Sequence, residues 1–239
     1  MGLAAGRSER YHSDSMVAKL GSLVDRAAEG LGVALQGRAG AHLTTWLEHL
    51  EGWNERMDLT AARSREELVD LMLADALVLS AELPGDAAVI DVGTGAGAPG
   101  LALALLRPDL RVTLAEPLGK RASFLRTVIG STGRTDVRLE RARGEAMAGR
   151  GPWSVAISRA TLPPGAWLEL GATLTGPGGV VWILLAKDAA PYHPRASLER
   201  ERAYTWPLTG AARRVAAYRV SGPGSSLGPR AGVVGAMPG

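Results

Sequence analysis

The sequence predicts an α/β fold in which a mostly parallel sheet is covered by helices and is preceded by a helical segment. Three observations lead to this prediction. The first third of the chain carries apolar residues at helical spacing, whereas from residue 87 onward short buried strands alternate with helices. A glycine-rich turn also lies between the first strand and the helix after it. Such alternation favours a parallel sheet, because a helix has to carry the chain back between parallel strands.

The first third is predicted to contain helices over residues 17–30, 39–53 and 64–83. In the second of these, Trp46 and Trp53 belong to one apolar stripe, and we expect both to be core residues. Ser64 followed by Glu67 is a capping-box pattern, in which each residue satisfies a free amide at the start of a helix.

The later part is predicted to contain strands over residues 88–92, 111–116, 137–140, 154–158 and 180–186, and helices over residues 101–106, 119–129 and 167–174. We expect residues 203–208 and 215–220 to form a terminal antiparallel pair. The chain then divides into a disordered N-terminus (1–15), a helical cap (16–85), a sheet domain (86–220) and a disordered Gly-, Pro- and Ser-rich tail (221–239).

Composition excludes several classes of protein. The 239 residues contain no cysteine, which excludes a disulfide framework, a thiolate metal site and a cysteine nucleophile. The four histidines form no cluster, so we expect no metal site. No stretch approaches the ~18 consecutive apolar residues of a membrane span, and the N-terminus lacks the apolar core of a secretory signal. We therefore predict a cytoplasmic monomer with no membrane partner.

Charge is distributed unevenly along the chain. Residues 1–85 carry 8 Lys or Arg against 13 Asp or Glu, whereas residues 86–239 carry 19 against 11. A basic sheet domain favours an anionic partner such as nucleic acid. A second interpretation stays open, because 24 of the 27 basic residues are Arg, which can reflect genomic base composition.

The glycine loop at residues 91–100, DVGTGAGAPG, is the most informative motif. Its spacing matches the dinucleotide fingerprint, in which glycines let the backbone turn sharply and approach a ligand closely. A dinucleotide would bring a pyrophosphate to this turn, where the carboxylate of Asp91 is unfavourable. S-adenosylmethionine instead carries an ammonium and a sulfonium, which suit that carboxylate. Glu116, at the end of the second strand, is placed to accept hydrogen bonds from a ribose in either cofactor.

Several segments together resemble a known family. They are the glycine loop, RPDLRVTLAEPLGKRASFLR at residues 107–126, ISRA at 157–160 and WNERMDLTAARSREEL at 53–68. In order and spacing they resemble the 16S ribosomal RNA guanine-N7 methyltransferase family, also called glucose-inhibited division protein B. The resemblance covers roughly residues 43–187.

The resemblance implies a class I, Rossmann-like methyltransferase fold with a seven-stranded sheet, an N-terminal helical cap and S-adenosylmethionine as the cofactor. It implies small-subunit ribosomal RNA as the partner. Together with the loop argument, it gives as cofactor-binding residues Asp91, Gly93, Gly95, Gly97, Ala98, Glu116, Gly144, Glu145 and Arg159. Arg159 is also the candidate catalytic residue, because it lines the methyl-transfer pocket at the end of the fourth strand. The candidate RNA-binding residues are Lys120, Arg121 and Lys187.

The chain departs from the family pattern mainly on the substrate side. Asp58 stands where the family has Asn, Leu71 and Met72 stand where it has an Arg-His pair, and Asp188 replaces a Gly. In the loop, Ala98 replaces a Leu. We therefore expect weaker RNA binding than a typical member shows. Three alternatives stay open: another RNA or a small molecule as the acceptor, a non-catalytic relative that binds RNA or senses the cofactor, and, more distantly, a dehydrogenase.

Overall fold

The computed structural model describes residues 19–186 and 188–222, which form a seven-stranded sheet with strand order β3-β2-β1-β4-β5-β7-β6. The strands are β1 (Ala88–Val92), β2 (Arg111–Ala115), β3 (Arg138–Glu140), β4 (Val155–Ser158), β5 (Val180–Leu185), β6 (Ala196–Thr205) and β7 (Ala212–Val220). The first five are mutually parallel, and β7 runs antiparallel between β5 and β6. The predicted α/β class and the terminal antiparallel pair are confirmed.

The helices lie before and between the strands. They are α1 (Leu20–Gly30), α2 (Ala39–Asn54), α3 (Arg65–Val69), α4 (Asp75–Ser80), α5 (Gly100–Leu106), α6 (Gly119–Thr132) and α7 (Pro164–Thr175). A π-helical turn (Asp70–Ala74) joins α3 to α4, and a 3-10 helix (Gly144–Met147) follows β3. None of the helices in the described part of the chain combines the length and apolarity needed to cross a membrane.

Alternating side chains along the strands build two cores, one on each face of the sheet. In β1, Val89 belongs to one hydrophobic cluster, whereas Ile90 and Val92 belong to the other. The first cluster is shared with α5, α6 and the N-terminal helices, and the second lies under α7. Trp53 of α2 meets Phe124 of α6 edge to face, with ring centroids 5.6 Å apart. The N-terminal helices are thus packed into the core of the sheet.

The capping pattern at Ser64 is confirmed with one difference in detail. The Ser64 hydroxyl accepts a hydrogen bond from the Glu67 amide at 3.1 Å, and α3 begins at the next residue. The Glu67 carboxylate binds the amide of Arg63, at 2.8 Å, instead of that of Ser64. This still satisfies a free donor beside the start of the helix.

The predicted bounds of the penultimate strand are wrong. We expected it over residues 203–208, whereas β6 begins at Ala196 and ends at Thr205. Most of its side chains are exposed, because β6 is an edge strand that pairs only with β7. Its charged side chains form ion pairs, for example Glu201 with Arg214 of β7. An edge strand of this kind lacks the apolar alternation from which strands are predicted.

Candidate cofactor and acceptor sites

The predicted site residues meet at one edge of the sheet, where the parallel strands end. The strand order reverses at β1: the chain continues from β1 to β2 and β3 on one side, and then crosses to β4 and β5 on the other side. Ligands of open α/β sheets bind in the crevice at such a switch point. The glycine loop follows β1, Glu116 follows β2, Gly144 follows β3 and Arg159 follows β4. Lys187, the predicted RNA-binding residue after β5, lies outside the described residues.

The glycines of the loop serve different purposes. A Cβ at Gly93, Gly97 or Gly100 would approach a neighbouring side chain to 2.3, 2.9 or 2.5 Å, so these three are required by packing within the chain. Gly95 differs, because a Cβ there would meet nothing closer than the carbonyl oxygen of Gly93, at 3.9 Å. Its φ of +62° is the left-handed conformation that favours glycine. The backbone at Gly95 is therefore the part of the loop that faces open space.

Asp91 is buried beneath the loop. Its Oδ2 accepts a hydrogen bond from the amide of Gly100, at 2.8 Å, and so holds the start of α5 against β1. The nearby Thr94 hydroxyl stabilises the charged form of this carboxylate. Among the described residues, however, Asp91 Oδ1 and Thr94 Oγ1 have no partner at good hydrogen-bond geometry. Burial raises the pKa of Asp91 to about 6, which the amide of Gly100 opposes.

This pKa predicts a stability that depends on pH. Between pH 4 and 6 the unfolded chain loses the proton of Asp91 while the folded chain keeps it, so unfolding becomes easier as pH rises. Relative to Asp91→Asn, the wild type should lose about 2 kcal/mol of unfolding free energy over that interval, because each pKa unit is equivalent to about 1.36 kcal/mol and the titration is incomplete at both ends of the interval. Urea denaturation of both proteins from pH 4 to 8 measures this difference.

The control for this prediction is Asp109→Asn. The hydrogen bond from Arg107 lowers the pKa of Asp109 to about 2, so the stability of Asp109→Asn relative to the wild type should change by less than about 0.5 kcal/mol between pH 4 and 6. A constant difference between the wild type and Asp91→Asn across the interval would contradict the prediction.

Glu116 lies at the expected position and links two loops. Its Oε2 accepts from the amide of Gly95, and its Oε1 accepts from the amide of Leu118, both at 2.9 Å. The residue is only 2% exposed. Because each carboxylate oxygen has a further lone pair, these bonds do not use up its capacity to accept. Binding of a ribose by Glu116 stays a prediction.

Gly144 and Glu145 begin the 3-10 helix after β3. A Cβ at Gly144 would come within 2.5 Å of Val92 Cγ1 and 3.0 Å of Leu170 Cδ2, so this close approach requires glycine. The Glu145 side chain is exposed at the same edge of the sheet. Their predicted place beside the cofactor is untested.

Trp46 holds the glycine loop from outside the sheet, a role that the sequence did not indicate. The side chain is fully buried, and its Nε1 donates to the carbonyl oxygen of Ala96 at 3.0 Å. Trp46 is a core residue, as predicted. The helical spacing that predicted this could not show that the indole N–H would bind the glycine loop. Thr161, whose hydroxyl lies against Gly93, is a second contact with the loop that we did not expect.

Arg159 opens onto a cavity of about 270 Å³ at the ends of β4 and β5, which we call the Arg159 cavity. Its walls include Leu71, Asp75, Tyr204, Trp206 and Arg213. Arg159 Nη1 donates to the carbonyl oxygen of Leu71 and lies 3.5 Å from Asp75 Oδ2. The guanidinium of Arg213 stacks on the Trp206 ring, 3.9 Å from its centroid. Aromatic walls and partly buried cations suit a planar, polar ligand.

Lys120 and Arg121 lie in a second cavity, of about 510 Å³, which we call the Lys120 cavity. It is formed by the start of α6 and the loop at residues 54–59. That loop brings Arg56 to the same cavity. Within residues 19–186 and 188–222, these three cations take part in no ion pair. They are therefore available to an anionic ligand.

Of the four substrate-side residues that depart from the family pattern, three line these two cavities and one is buried in the core. Asp58 lines the Lys120 cavity, and Leu71 and Asp188 line the Arg159 cavity. Met72 is buried in the core, which accounts for an apolar residue at this position. Leu71 contributes its backbone carbonyl to Arg159, and any side chain at this position could do the same.

Two further features of the described residues bear on where a ligand can bind. No group of three His, Asp or Glu side chains in that part of the chain is arranged to hold a metal ion. A cavity of about 1030 Å³ lies near the amino ends of β4 and β5, and none of the predicted site residues lines it. Since ligands of open α/β sheets bind at the carboxyl ends, the two smaller cavities are the candidate sites.

Comparisons with known proteins show which family the chain is similar to. A family model described as rRNA small subunit methyltransferase G matches residues 40–195. The "Ribosomal RNA small subunit methyltransferase G" of Myxococcus xanthus is 35% identical over 207 residues, covering 81% of this chain and 95% of that protein. The protein of the same name from Halorhodospira halophila is 39% identical over 156 residues, covering 65% of this chain and 74% of that protein.

Among solved structures, one from work on "Conversion of a Disulfide Bond into a Thioacetal Group during Echinomycin Biosynthesis" aligns with a TM-score of 0.51. The alignment covers 64% of this chain and 84% of that chain, at 17% identity. At this identity the likeness concerns the fold alone.

Proposed function

The chain belongs to the rRNA small subunit methyltransferase G family, and we propose that it transfers a methyl group from S-adenosylmethionine to N7 of a guanine in small-subunit (16S) ribosomal RNA. The observation that carries the proposal is the position of the open Gly95 backbone and the Arg159 cavity at the same edge of the sheet. This arrangement provides one place for a cofactor and a neighbouring place for an acceptor. A cytoplasmic, monomeric enzyme remains part of the proposal.

The residues around the loop fit S-adenosylmethionine better than a dinucleotide. A pyrophosphate would need free amides at the start of α5, but the Gly100 amide already binds Asp91. The second oxygen of Asp91, buried beneath the loop without a well-formed hydrogen bond, favours a cation nearby. The open space above Gly95 leaves room for the ligand. These features speak against a dehydrogenase.

The proposed chemistry requires positioning rather than proton transfer. When bound, S-adenosylmethionine supplies an electrophilic methyl group, whose bond to sulfur breaks as the bond to the acceptor nitrogen forms. Guanine N7 has a free lone pair, so no side chain has to remove a proton. The chain has to hold the acceptor in line and exclude water, which is catalysis by proximity and orientation. Arg159 would donate a hydrogen bond to the guanine O6, leaving N7 free to react.

The unpaired cations support RNA as the acceptor. Arg56, Lys120 and Arg121 line the Lys120 cavity, close to the end of the sheet at which the glycine loop lies. By contrast, Arg200, Arg202 and Arg219 of β6 and β7 form ion pairs with glutamates. Free cations near the cofactor loop are suited to phosphate groups on either side of a target base.

The function is tested by incubating the protein with small-subunit RNA, or the assembled subunit, and methyl-labelled S-adenosylmethionine. The labelled nucleotide is then identified by nuclease digestion and mass spectrometry. We expect label in 7-methylguanine at a single site. Label elsewhere in RNA would identify another RNA acceptor. If neither substrate is labelled although the cofactor binds, the acceptor is a small molecule or the chain is a non-catalytic relative.

RNA affinity should depend on salt, and Arg121 should contribute to that dependence. Phosphate contacts release condensed counterions, so each lost contact should reduce the slope of log affinity against log salt by about 0.7–0.9. We therefore expect a shallower slope for Arg121→Ala than for the wild type. Fluorescence anisotropy with a small-subunit RNA fragment at several salt concentrations measures both.

The matched control is Arg126→Ala, which removes the same charge from the same helix but lies outside the Lys120 cavity. Its slope should equal that of the wild type. If the salt dependence of RNA affinity has the same slope in all three proteins, Arg121 does not contact RNA phosphate.

A further inference from the structure

Asp75, at the start of α4, joins three separate parts of the chain at the Arg159 cavity. The residue is 4% exposed. Its Oδ2 forms an ion pair with Arg159, which follows β4. Its Oδ1 accepts a hydrogen bond from the hydroxyl of Tyr204 in β6. A buried carboxylate is costly unless it is paired in this way, so the two partners stabilise its charge together.

In this network the hydroxyl of Tyr204 is the hydrogen-bond donor, and the carboxylate of Asp75 is the acceptor. Burial, and then the charge of Asp75, raise the pKa of Tyr204 far above its ordinary value. Tyr204 therefore stays protonated near neutral pH. The network has a fixed polarity: Tyr204 donates to Asp75, and Asp75 accepts from Arg159.

The network uses only one end of the Arg159 guanidinium. Nη1 donates to the carbonyl oxygen of Leu71 and faces Asp75. Among the described residues, Nε and Nη2 of Arg159 make no hydrogen bond. Because the guanidinium is planar, fixing one nitrogen fixes the direction of the other donors. The free donors belong to a side chain that lines the cavity proposed for the acceptor.

We propose that Tyr204 and Asp75 are positioning residues, which orient Arg159 so that its free donors bind an oxygen of the acceptor base. The inference rests on the proposed function, because it concerns the same methyl transfer. It assigns to the C-terminal antiparallel hairpin a part in the reaction, although β6 and β7 lie at the far end of the sheet order from the cofactor loop.

Attachment of the hairpin does not depend on Tyr204. Asp70, fully buried in the π-helical turn, binds the amides of Leu208 and Thr209 and the Thr209 hydroxyl. β7 is also paired with β5 over residues 214–219. With the turn and the strand both held elsewhere, the Tyr204–Asp75 bond is not needed to anchor the hairpin, and its effect falls on Arg159.

The test compares Tyr204→Phe with Tyr218→Phe. Tyr218, in β7, donates its hydroxyl to the carbonyl oxygen of Pro191 at 2.7 Å and lines the large cavity away from the site. Each variant loses one hydroxyl bond from the same hairpin. Because a hydrogen bond to a charged group is lost, we expect Tyr204→Phe to lower kcat by about 10-fold or more. The KM for S-adenosylmethionine and the RNA affinity should stay within about twofold, and Tyr218→Phe should retain the wild-type kcat.

A double-mutant cycle identifies the route of the effect. If Tyr204 acts through Arg159, Tyr204→Phe should cause no further loss of kcat in an Arg159→Ala background. Additive losses would overturn the proposal, as would an unchanged kcat in Tyr204→Phe or equal losses in the two tyrosine variants. If Tyr204→Phe fails to fold, Asp75→Asn is measured in the same cycle. If the wild type methylates no small-subunit RNA, the proposed function fails; if it does and the cycle is additive, only the present inference fails.

Discussion

Gly95→Leu is expected to abolish binding of S-adenosylmethionine while the protein remains folded. The leucine side chain would occupy the open space above the loop, which is where the cofactor is proposed to lie. The expected rise in Kd is at least ~100-fold, equivalent to about 3 kcal/mol. Isothermal titration calorimetry with S-adenosylmethionine and S-adenosylhomocysteine measures the loss, and circular dichroism checks the fold. The wild type should bind both ligands and should not bind NAD.

The control for this variant is Gly32→Leu. Gly32 has a φ of +70°, close to that of Gly95, and no atom lies within 4 Å of a Cβ added there. It follows α1, away from the glycine loop, so the variant carries the same backbone strain without approaching the site. Normal binding by Gly32→Leu and none by Gly95→Leu is the expected result. Normal binding by both would show that the cofactor does not lie over Gly95.

Arg159→Ala is expected to lose turnover rather than affinity. Its donors are proposed to orient the acceptor, so their removal should lower kcat by about 100-fold or more, the usual scale for a group that positions or stabilises the reacting atoms. RNA affinity and cofactor affinity should change by less than about threefold, because the side chain makes one contact within a large interface. Single-turnover kinetics and anisotropy titrations separate the two quantities.

The control for Arg159→Ala is Arg195→Ala, which breaks an exposed ion pair with Glu169 outside the site. It should leave kcat unchanged. In Arg159→Ala the buried carboxylate of Asp75 keeps Tyr204 as a partner, so we expect a lower melting temperature but a folded protein. A loss of RNA affinity with an intact kcat would make Arg159 a phosphate contact instead.

The sequence predicted the parts of the fold that repeat a regular pattern. An apolar run such as that of β1 predicts a buried strand, because successive side chains point to opposite faces of the sheet and both faces are covered. The glycine loop could also be predicted, because its residues are contiguous and their spacing follows from the tight turn between a strand and a helix. The bounds of β6 could not, because an exposed edge strand has neither an apolar run nor a contiguous motif.

The parts of the site that involve distant residues could not be predicted in this way. Asp75 and Tyr204 are separated by 129 positions, and their contact exists only because the hairpin folds back onto the N-terminal helices. The same holds for Trp46 and Ala96. The depth of Asp91 beneath the loop could not be predicted either, because the position of a residue in a strand does not determine how deeply its side chain is buried. An interaction of Asp91 with the cofactor stays a prediction.

The indole of Trp46 has a consequence for how this enzyme can change in evolution. Its hydrogen bond to Ala96 makes one helix of the N-terminal segment part of the support of the cofactor loop. A segment that merely covered the sheet could be exchanged for another of similar shape by recombination between relatives. Here a replacement would have to bring a hydrogen-bond donor to the same carbonyl, or leave that carbonyl unsatisfied where the loop turns. We therefore expect the N-terminal helices and the loop to be inherited together, with substitutions in one constrained by the other.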